Sequence, residues 1–464
     1  MNQEYKLFNF NNKYFVFDYI NIIIFEISKE LYLDMLDTNE ESKEYLEFMQ
    51  FLRDNDLCSD SEERFEKINN RIYDVASISF PSEHTCNLAC NYCFANAGKN
   101  YDVDNKKMTN FMIESIMEKV YTNYFAKYET IKIDFVSGGE PLINFNIIES
   151  TVKIAKKMDQ QLKKKSEIFL CTNATLLTED IIRFIDENNI KLGISLDGIK
   201  EENDANRIYP NGDGSYDKII YWINYIKNCQ ELSSKTRDLL VLSVVTNETK
   251  SIVENLKLFY NLGIRNVQFK LCRSDKGSSC AINSRNVDRI INLYEDLNVF
   301  LIDEIKKGNL DYLLMILNDN DYYGKIIRRI ILREPSIRRC EIGRNKLSFT
   351  SSGEIFPCDP FMGVKEFCMG NITHSKIERS YWENITFKQS KRCSECWLRY
   401  ICSGDCYHNS HLVENNLFEP DKDYCLISNR LVEFSLELIY TINENKEMAT
   451  WLEKFLQIKE KIFV

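Results

Sequence analysis

An α/β fold on parallel strands is predicted for this chain by three observations. Between residues 72 and 272 short apolar runs alternate with amphipathic helical stretches, six times over. Ahead of them stand three β-like runs and two helical stretches. Behind them, from Cys340 to Cys425, the composition turns cysteine-dense. Repeated βα units give parallel strands with right-handed crossovers, and six make a partial (β/α)6 TIM-like barrel. The expectation is therefore such a barrel between an N-terminal winged-helix-like domain and a C-terminal Cys-rich domain.

The first segment reads as strands at Tyr5–Phe10, Tyr14–Tyr19 and Ile22–Ile27, with Asn11-Asn12-Lys13 as a hairpin turn. Helices near 29–37 and 40–56 place Leu31 and Met35, then Tyr45, Phe48, Met49 and Leu52, at helical spacing. Barrel strands are expected at Val75–Phe80, Ile131–Val136, Ile168–Thr172, Leu192–Leu196, Leu239–Val245 and Val267–Leu271. Helices fall near 107–124, 144–164, 178–189, 215–229 and 249–262. Thr178, followed by Glu179 and Asp180, is an N-cap with acids in the first turn, and Lys163, Lys164 and Lys165 close the helix before it. Residues 283–333 read as helical. Arg328, Arg329 and Arg333, with Arg338 and Arg339, would suit an acidic peptide, although such a run is more often a solvated helix face. Two apolar-patterned helices near 427–442 and 446–460 close the chain. The expected divisions are 1–70, 71–280, 281–335, 336–426 and 427–464.

Composition narrows the function. A net charge of −11 disfavours nucleic acid as a partner. The apolar run at Ile20–Phe25 is too short for a signal core or a membrane span, so the expectation is a cytoplasmic protein without a membrane partner. Sixteen cysteines beside four histidines point to thiolate metal or redox chemistry in a reducing compartment.

The unusual residues cluster at the carboxyl ends of the expected strands, where parallel barrels collect ligands. Cys86, Cys90 and Cys93 follow the first strand and Gly138-Gly139-Glu140-Pro141 the second. Asn173 follows the third, Ser195 and Asp197 the fourth, and Asn247 the fifth. Three thiolates on one short run leave one iron of a four-iron cube without a protein ligand. Half of a structural zinc site is the alternative. The Cys86–Phe94 run resembles the cluster loop of the radical S-adenosylmethionine (SAM) enzymes. That resemblance implies a [4Fe-4S] cluster whose open iron chelates the methionine part of SAM and whose electron releases a 5′-deoxyadenosyl radical. It implies that Gly138, Gly139 and Glu140 receive the methionine ammonium and that Ser195 and Arg207 hold ribose and carboxylate. Asn173 stands at the same rim. Tyr92 and Phe94 stand where the family packs adenine; a plain core aromatic is the alternative.

Farther on, Cys340 and Cys358 flank Gly353, and Cys393-x2-Cys396-x5-Cys402-x3-Cys406 is followed by Cys425. This rhythm resembles the SPASM extension of radical SAM peptide maturases; a two-zinc ribbon is the other reading. The resemblance implies two auxiliary [4Fe-4S] clusters, three in all. Cys340, Cys358 and Cys406 would hold the nearer one, and Cys393, Cys396, Cys402 and Cys425 the outer one. The nearer cluster is then one ligand short, unless Cys272, Cys280 or Cys368 reaches it. Cys58, Cys171 and Cys229 read as small core residues. Asp359, next to Cys358, matches the aspartate that takes the substrate proton in sulfatase-maturing relatives; a turn-capping aspartate is equally consistent. The first domain resembles the leader-peptide recognition element of enzymes that modify ribosomally made peptides, with Ile22–Ile27 as the edge that an extended leader would join. A cap packing on the barrel is the alternative. The expected activity is radical modification of such a precursor peptide, most simply a cysteine thioether cross-link of the sactipeptide type, with flavodoxin or ferredoxin as electron donor. Formylglycine formation, carbon–carbon cross-linking and a non-catalytic zinc module are the other readings.

Overall fold

A computed structural model describes residues 5–463 except 56, 58–60, 71–73, 96, 98–106, 137 and 374–376, so Cys58 lies outside the described residues. β1 (Tyr5–Phe10), β2 (Lys13–Asp18) and β3 (Ile23–Ile27) form an antiparallel sheet in that order. Phe10 pairs with Lys13, and Asn11 and Asn12 take φ of 52° and 59°, the left-handed pair that a two-residue hairpin turn needs. Val16 on the central strand packs with Leu31, Met35 and Tyr45 of helices Lys29–Leu36 and Lys43–Asp54. Ser28 and Ser42 cap those helices. Phe15 and Phe17 alternate to the opposite face. There Phe15 meets Tyr440 at 5.1 Å and Phe17 meets Trp397 at 6.3 Å between ring centroids. A third helix, Ser61–Asn69, was not legible because its only apolar pair is Phe65 and Ile68.

The second sheet has nine strands. β4 (Val75–Ser79), β5 (Thr130–Phe135), β6 (Lys165–Thr172), β7 (Lys191–Ser195), β8 (Leu240–Val245) and β9 (Asn266–Leu271) are parallel neighbours in chain order. The helices between them are Asn110–Lys119, Phe145–Leu162, Glu179–Glu187, Tyr216–Asn228 and Ile252–Asn261. Thr178 caps the third of these by accepting the Ile181 N–H. β6 starts three residues ahead of its expected position, directly after Lys163 turns into the left-handed region at φ 53°.

The six-stranded expectation falls short at one edge. β10 (Lys346–Phe349) pairs parallel with β4, and β11 (Glu354–Phe356) and β12 (Gly370–Asn371) continue antiparallel. The cysteine-rich segment is thus hydrogen-bonded into the barrel sheet. Register places Lys346 beside Ser77 and Ser348 beside Ser79, with Lys132 and Asp134 next along, so one face of the sheet is lined by polar residues. Leu347, Phe349, Ile78 and Ile133 fill the buried opposite face.

Helices Val287–Lys306, Asp311–Ile316 and Gly324–Ile331 follow the parallel strands, and the long helix Lys422–Asn443 packs on the first and third of them. The expected boundary at 426 falls inside that last helix, whose first turn carries Cys425. The arginine run is not one solvated face: Arg333 is exposed, but Arg328 and Arg338 are buried, and Arg328 makes local ion pairs with Asp319 at 2.7 Å and Glu334 at 3.2 Å. Among the described residues no helix is long and apolar enough to cross a membrane.

The N-terminal sheet is anchored through Trp397, which also lies 5.7 Å from Phe8 and under the Lys6 ammonium. Trp397→Ala is expected to accelerate hydrogen exchange in β1 and β2 while leaving β5 and β6 protected, as read by mass spectrometry.

Candidate active site

The loop carrying Cys86, Cys90 and Cys93 leaves β4 and is held by its neighbours' backbones. Thr85 accepts the Glu140 N–H at 2.9 Å, and the Ala89 and Asn91 amides donate to Ile208 and Asn206 at 2.7 and 3.0 Å. Gly138 and Gly139 are required by this approach. A Cβ on Gly138, already at φ +99°, would stand 2.4 Å from Pro81 Cβ, and one on Gly139 2.1 Å from the Thr85 carbonyl. The close partner of these glycines in this chain is the entry to the cysteine loop.

Glu140 is buried. Its Oε1 accepts Thr172 Oγ1 at 2.5 Å and the Leu142 amide at 3.1 Å, and its Oε2 accepts the Asn173 amide at 2.8 Å. It therefore ties the turn after β5 to the end of β6, and a carboxylate's four acceptor positions leave Oε2 one more. Burial pushes this carboxyl up to about 7, against those hydrogen bonds. Asn173 Nδ2 donates to Asn87 at 2.9 Å and lies 3.9 Å from Cys86 Sγ.

Asp197 organises the next sector. Tyr92 Oη donates to Oδ2 at 2.7 Å, while Arg207 Nε and the Val244 amide donate to Oδ1 at 3.0 and 3.1 Å. The Arg207 guanidinium lies 5.4 Å from the Tyr92 ring centroid. Its two terminal nitrogens have no protein partner among the described residues, so the fork suited to a carboxylate is unspent. Tyr92 is thus a hydrogen-bonded rim residue. Phe94 is exposed, 6.3 Å from the His408 ring. Ser195 ends β7 beside Cys171, at 3.6 Å. Cys171 and Cys229 are only half-buried, and Cys171 is drawn to Ser195 rather than sealed in the core.

The C-terminal cysteines fall into two groups. Cys393, Cys396, Cys402 and Cys425 line one cavity of about 100 Å³ together with Tyr322, Arg399 and Asp405. Burial, and then Cys406, holds the Cys358 thiol well above its ordinary value, and desolvation followed by Cys406 raises the Cys340 thiol. Cys272 donates to Ser274 Oγ at 3.6 Å, Cys280 lies 3.0 Å from Ser278 Oγ and 3.7 Å from the Asn91 carbonyl, and Cys368 donates to Gly370 at 3.3 Å.

Asp359 is no turn cap. Its Oδ1 accepts Ser79 and, at 2.9 Å, Ser348, and its Oδ2 lies 3.4 Å from Lys346 Nζ. Lys346 is the site residue that sequence reasoning missed; with Ser348 it alternates polar–apolar on β10, a signal too short to read. Asp359, first among the causes, and Asp134 raise the affinity of this ammonium for its proton.

A profile of the radical SAM superfamily matches residues 83–256, the segment holding every rim loop described above. A Methanocaldococcus jannaschii protein is 30% identical over 290 residues, 62% of this chain and 85% of its own length. The chain belongs to the radical SAM superfamily. A cysteine-type anaerobic sulfatase-maturating enzyme of Clostridium novyi is 25% identical over 71% of this chain and 87% of its own. The radical SAM cyclopropyl synthase TigE of Paramaledivibacter caminithermalis is 26% identical over 96% of this chain and 92% of its own. The solved structure of anSMEcpe with bound AdoMet shares the fold, with TM-score 0.63 and 21% identity over 80% of this chain and all of its own. This protein is thus a radical SAM enzyme related to anaerobic sulfatase-maturating enzymes and to the cyclopropyl synthase TigE.

Its residues fit the cofactors of that family. Burial pushes the Cys86 thiol up to about 12 and Cys90 to about 11, so without metal these sulfurs carry their protons at neutral pH, and among the described residues no three His, Cys, Asp or Glu side chains are grouped to hold a single ion. Each iron of a cube takes a separate thiolate, which asks for sulfurs spread round a space, as the outer four are.

Two outcomes follow. Gly139→Ala should keep the secondary structure but lose SAM binding, measured by equilibrium dialysis of reconstituted protein, because the added methyl displaces the loop at Thr85. In the metal-free chain Glu140 titrates near 7 when folded and near ~4.3 when unfolded. The folded state holds the extra proton between those values, so stability falls as pH rises through the window and levels above about 7. Unfolding free energies from urea titrations at pH 5 and pH 8 should differ less in Glu140→Gln, by roughly 3 kcal/mol at most.

Proposed function

We propose that this enzyme modifies a ribosomally made precursor peptide by radical chemistry, docking the leader on its N-terminal sheet and joining a cysteine sulfur of the core to a carbon through a thioether. The observation that carries the reading is the placement of that sheet. β3 is an edge strand, apolar and β-branched, with one side unpaired among the described residues. An extended peptide would add there by backbone hydrogen bonds. The same sheet rests on Trp397, the residue after Cys396, so a leader bound to β3 would tether its core beside the cysteine-rich domain. The match to TigE spans this N-terminal segment as well as the barrel.

When bound, SAM and the cluster on Cys86, Cys90 and Cys93 would supply a 5′-deoxyadenosyl radical, and two auxiliary clusters on the C-terminal cysteines would supply electron uptake. The chain's own residues do the rest. The Arg207 fork and the remaining Oε2 position of Glu140 orient the carboxylate and ammonium of the methionine part. Asp197 fixes Arg207 and Tyr92 in place. Ser77, Ser79, Ser348 and Lys346 line a polar interior in which a peptide backbone finds partners, and Lys346 holds Asp359 toward it. The three thiols of Cys340, Cys358 and Cys406, with Cys272, Cys280 and Cys368 engaged elsewhere, leave the nearer cluster one ligand short, which supports a reading in which the substrate brings a thiolate. Asp359 also favours a second reading, formylglycine formation, in which its carboxylate takes a proton from the oxidised cysteine.

Anaerobic incubation with a cysteine-containing precursor peptide, SAM and dithionite should give a product lighter by two hydrogens and resistant to thiol alkylation. Cys90→Ala should abolish SAM cleavage, while Cys406→Ala should retain SAM cleavage without product. A sulfatase peptide converted to formylglycine, with no precursor processed, would replace this reading by the second.

A further inference from the structure

Four cations stand beside the C-terminal cysteines. Arg273 follows β9, Lys325 and Arg329 lie one turn apart on the helix Gly324–Ile331, and Arg339 immediately precedes Cys340. Their acceptors are neutral. Lys325 Nζ reaches the Arg339 carbonyl at 3.5 Å, and Arg329 donates to the Ile401 carbonyl and, at 3.4 Å, to Ser403 Oγ. The Arg339 guanidinium lies over the Tyr322 ring, 5.3 Å from its centroid. Arg273 Nε is buried without any hydrogen-bond partner.

Among the described residues none of the four belongs to an ion pair. Arg328, beside Arg329 on the same helix, has two acids. The nearby carboxylate of Asp405 is occupied by the Cys406 amide and Asn409 Nδ2. Like charges gathered in a poorly solvated place repel strongly. The cost shows in the groups themselves: burial and then Arg329 push the Lys325 ammonium well below its ordinary value, and burial and then Arg339 push Arg329 down to about 10. The other two move the opposite way, Arg273 and Arg339 holding their protons more tightly than an ordinary arginine, and the groups acting on the four are the acids Asp319 and Asp405 together with sulfur. Cys406 acts on Arg273, Cys340 on Lys325, and Cys402 on both Arg329 and Arg339. Tyr322, under Arg339, also lines the cavity of the outer four cysteines.

We propose that Arg273, Lys325, Arg329 and Arg339 form a cationic layer beside the auxiliary cluster sites that raises the clusters' reduction potentials and so makes them the acceptor of the electron that bond formation releases. The proposal rests on the assignment of auxiliary clusters to these cysteines. Its electron count is simple: once the 5′-deoxyadenosyl radical has taken a hydrogen atom from the peptide, closing a carbon–sulfur bond from a thiol releases one proton and one electron. The electron reduces an auxiliary cluster by one unit. Adding negative charge next to fixed positive charge is favourable, so removing a cation makes the cluster harder to reduce. These are positioning residues in an electrostatic sense; none touches substrate.

The test is potentiometric electron paramagnetic resonance on anaerobically reconstituted enzyme, with iron and sulfide measured on every sample. Neutral variants Lys325→Met and Arg329→Gln are compared with charge-retaining Lys325→Arg and Arg329→Lys. The neutral pair should move an auxiliary midpoint to more negative potential, the charge-retaining pair should stay near wild type, and the SAM-binding cluster should be unmoved in all four. Auxiliary iron lost only from the neutral pair would equally support charge compensation. Unmoved midpoints in iron-replete neutral variants would overturn the proposal, as would iron lost alike from both pairs, which marks a packing role. Wild-type protein holding a single cluster would overturn the underlying assignment, a failure seen before any variant is made.

Discussion

The loop that carries Cys86, Cys90 and Cys93 has no regular secondary structure, and backbone contact on both flanks holds it in place. The Thr85 carbonyl receives the Glu140 amide, and the Ala89 and Asn91 amides reach the carbonyls of Ile208 and Asn206. The loop after β4 is thereby fastened to the loops after β5 and β7. The approach on the β5 side tolerates no side chain at Gly138 or Gly139. Glu140 and Asp197, both buried, then spread the constraint to β6 and β8 through three protein donors each. The loops at the ends of β4 to β8 are thus hydrogen-bonded in series, so displacing one disturbs its neighbours.

The second constraint is continuity between barrel and cysteine-rich domain. Because β10 pairs directly with β4, the segment from Cys340 to Cys358 is part of the same sheet that begins the rim, and Lys346, Ser348 and Asp359 belong to the sheet's polar face although they lie some 270 residues beyond Ser77 and Ser79. The N-terminal sheet leans on this same region through Trp397 and on the helix Lys422–Asn443 through Tyr440. Sheet, cysteine-rich region and rim are therefore mechanically joined.

Much of this was legible. β4 to β9 read clearly because strands of a parallel sheet are covered by helices and appear as apolar, β-branched runs. Thr178 and the Asn11–Asn12 turn carried local signals strong enough to place their elements. The rim residues were found because strand ends concentrate them. What escaped reading was set by partners distant in sequence. β10 has four residues with alternating polarity and takes its partner in β4, while β12 has two and takes its partner in β11. Nothing local marks Lys346 as the partner of Asp359, or Arg328 and Arg338 as buried rather than solvated. Gly138 and Gly139 were expected to make room for a ligand, and their tightest contacts are with Pro81 and Thr85.

The central claim is that the loop on Cys86, Cys90 and Cys93 holds an iron–sulfur cluster with one iron left for SAM. Electron paramagnetic resonance of the dithionite-reduced, reconstituted protein, recorded before and after SAM is added, tests it most directly. The account predicts that one cluster signal changes on addition and that this signal is the one missing from a Cys86→Ala, Cys90→Ala, Cys93→Ala triple variant. A spectrum indifferent to SAM, or a SAM-sensitive signal that survives in the triple variant, would contradict it.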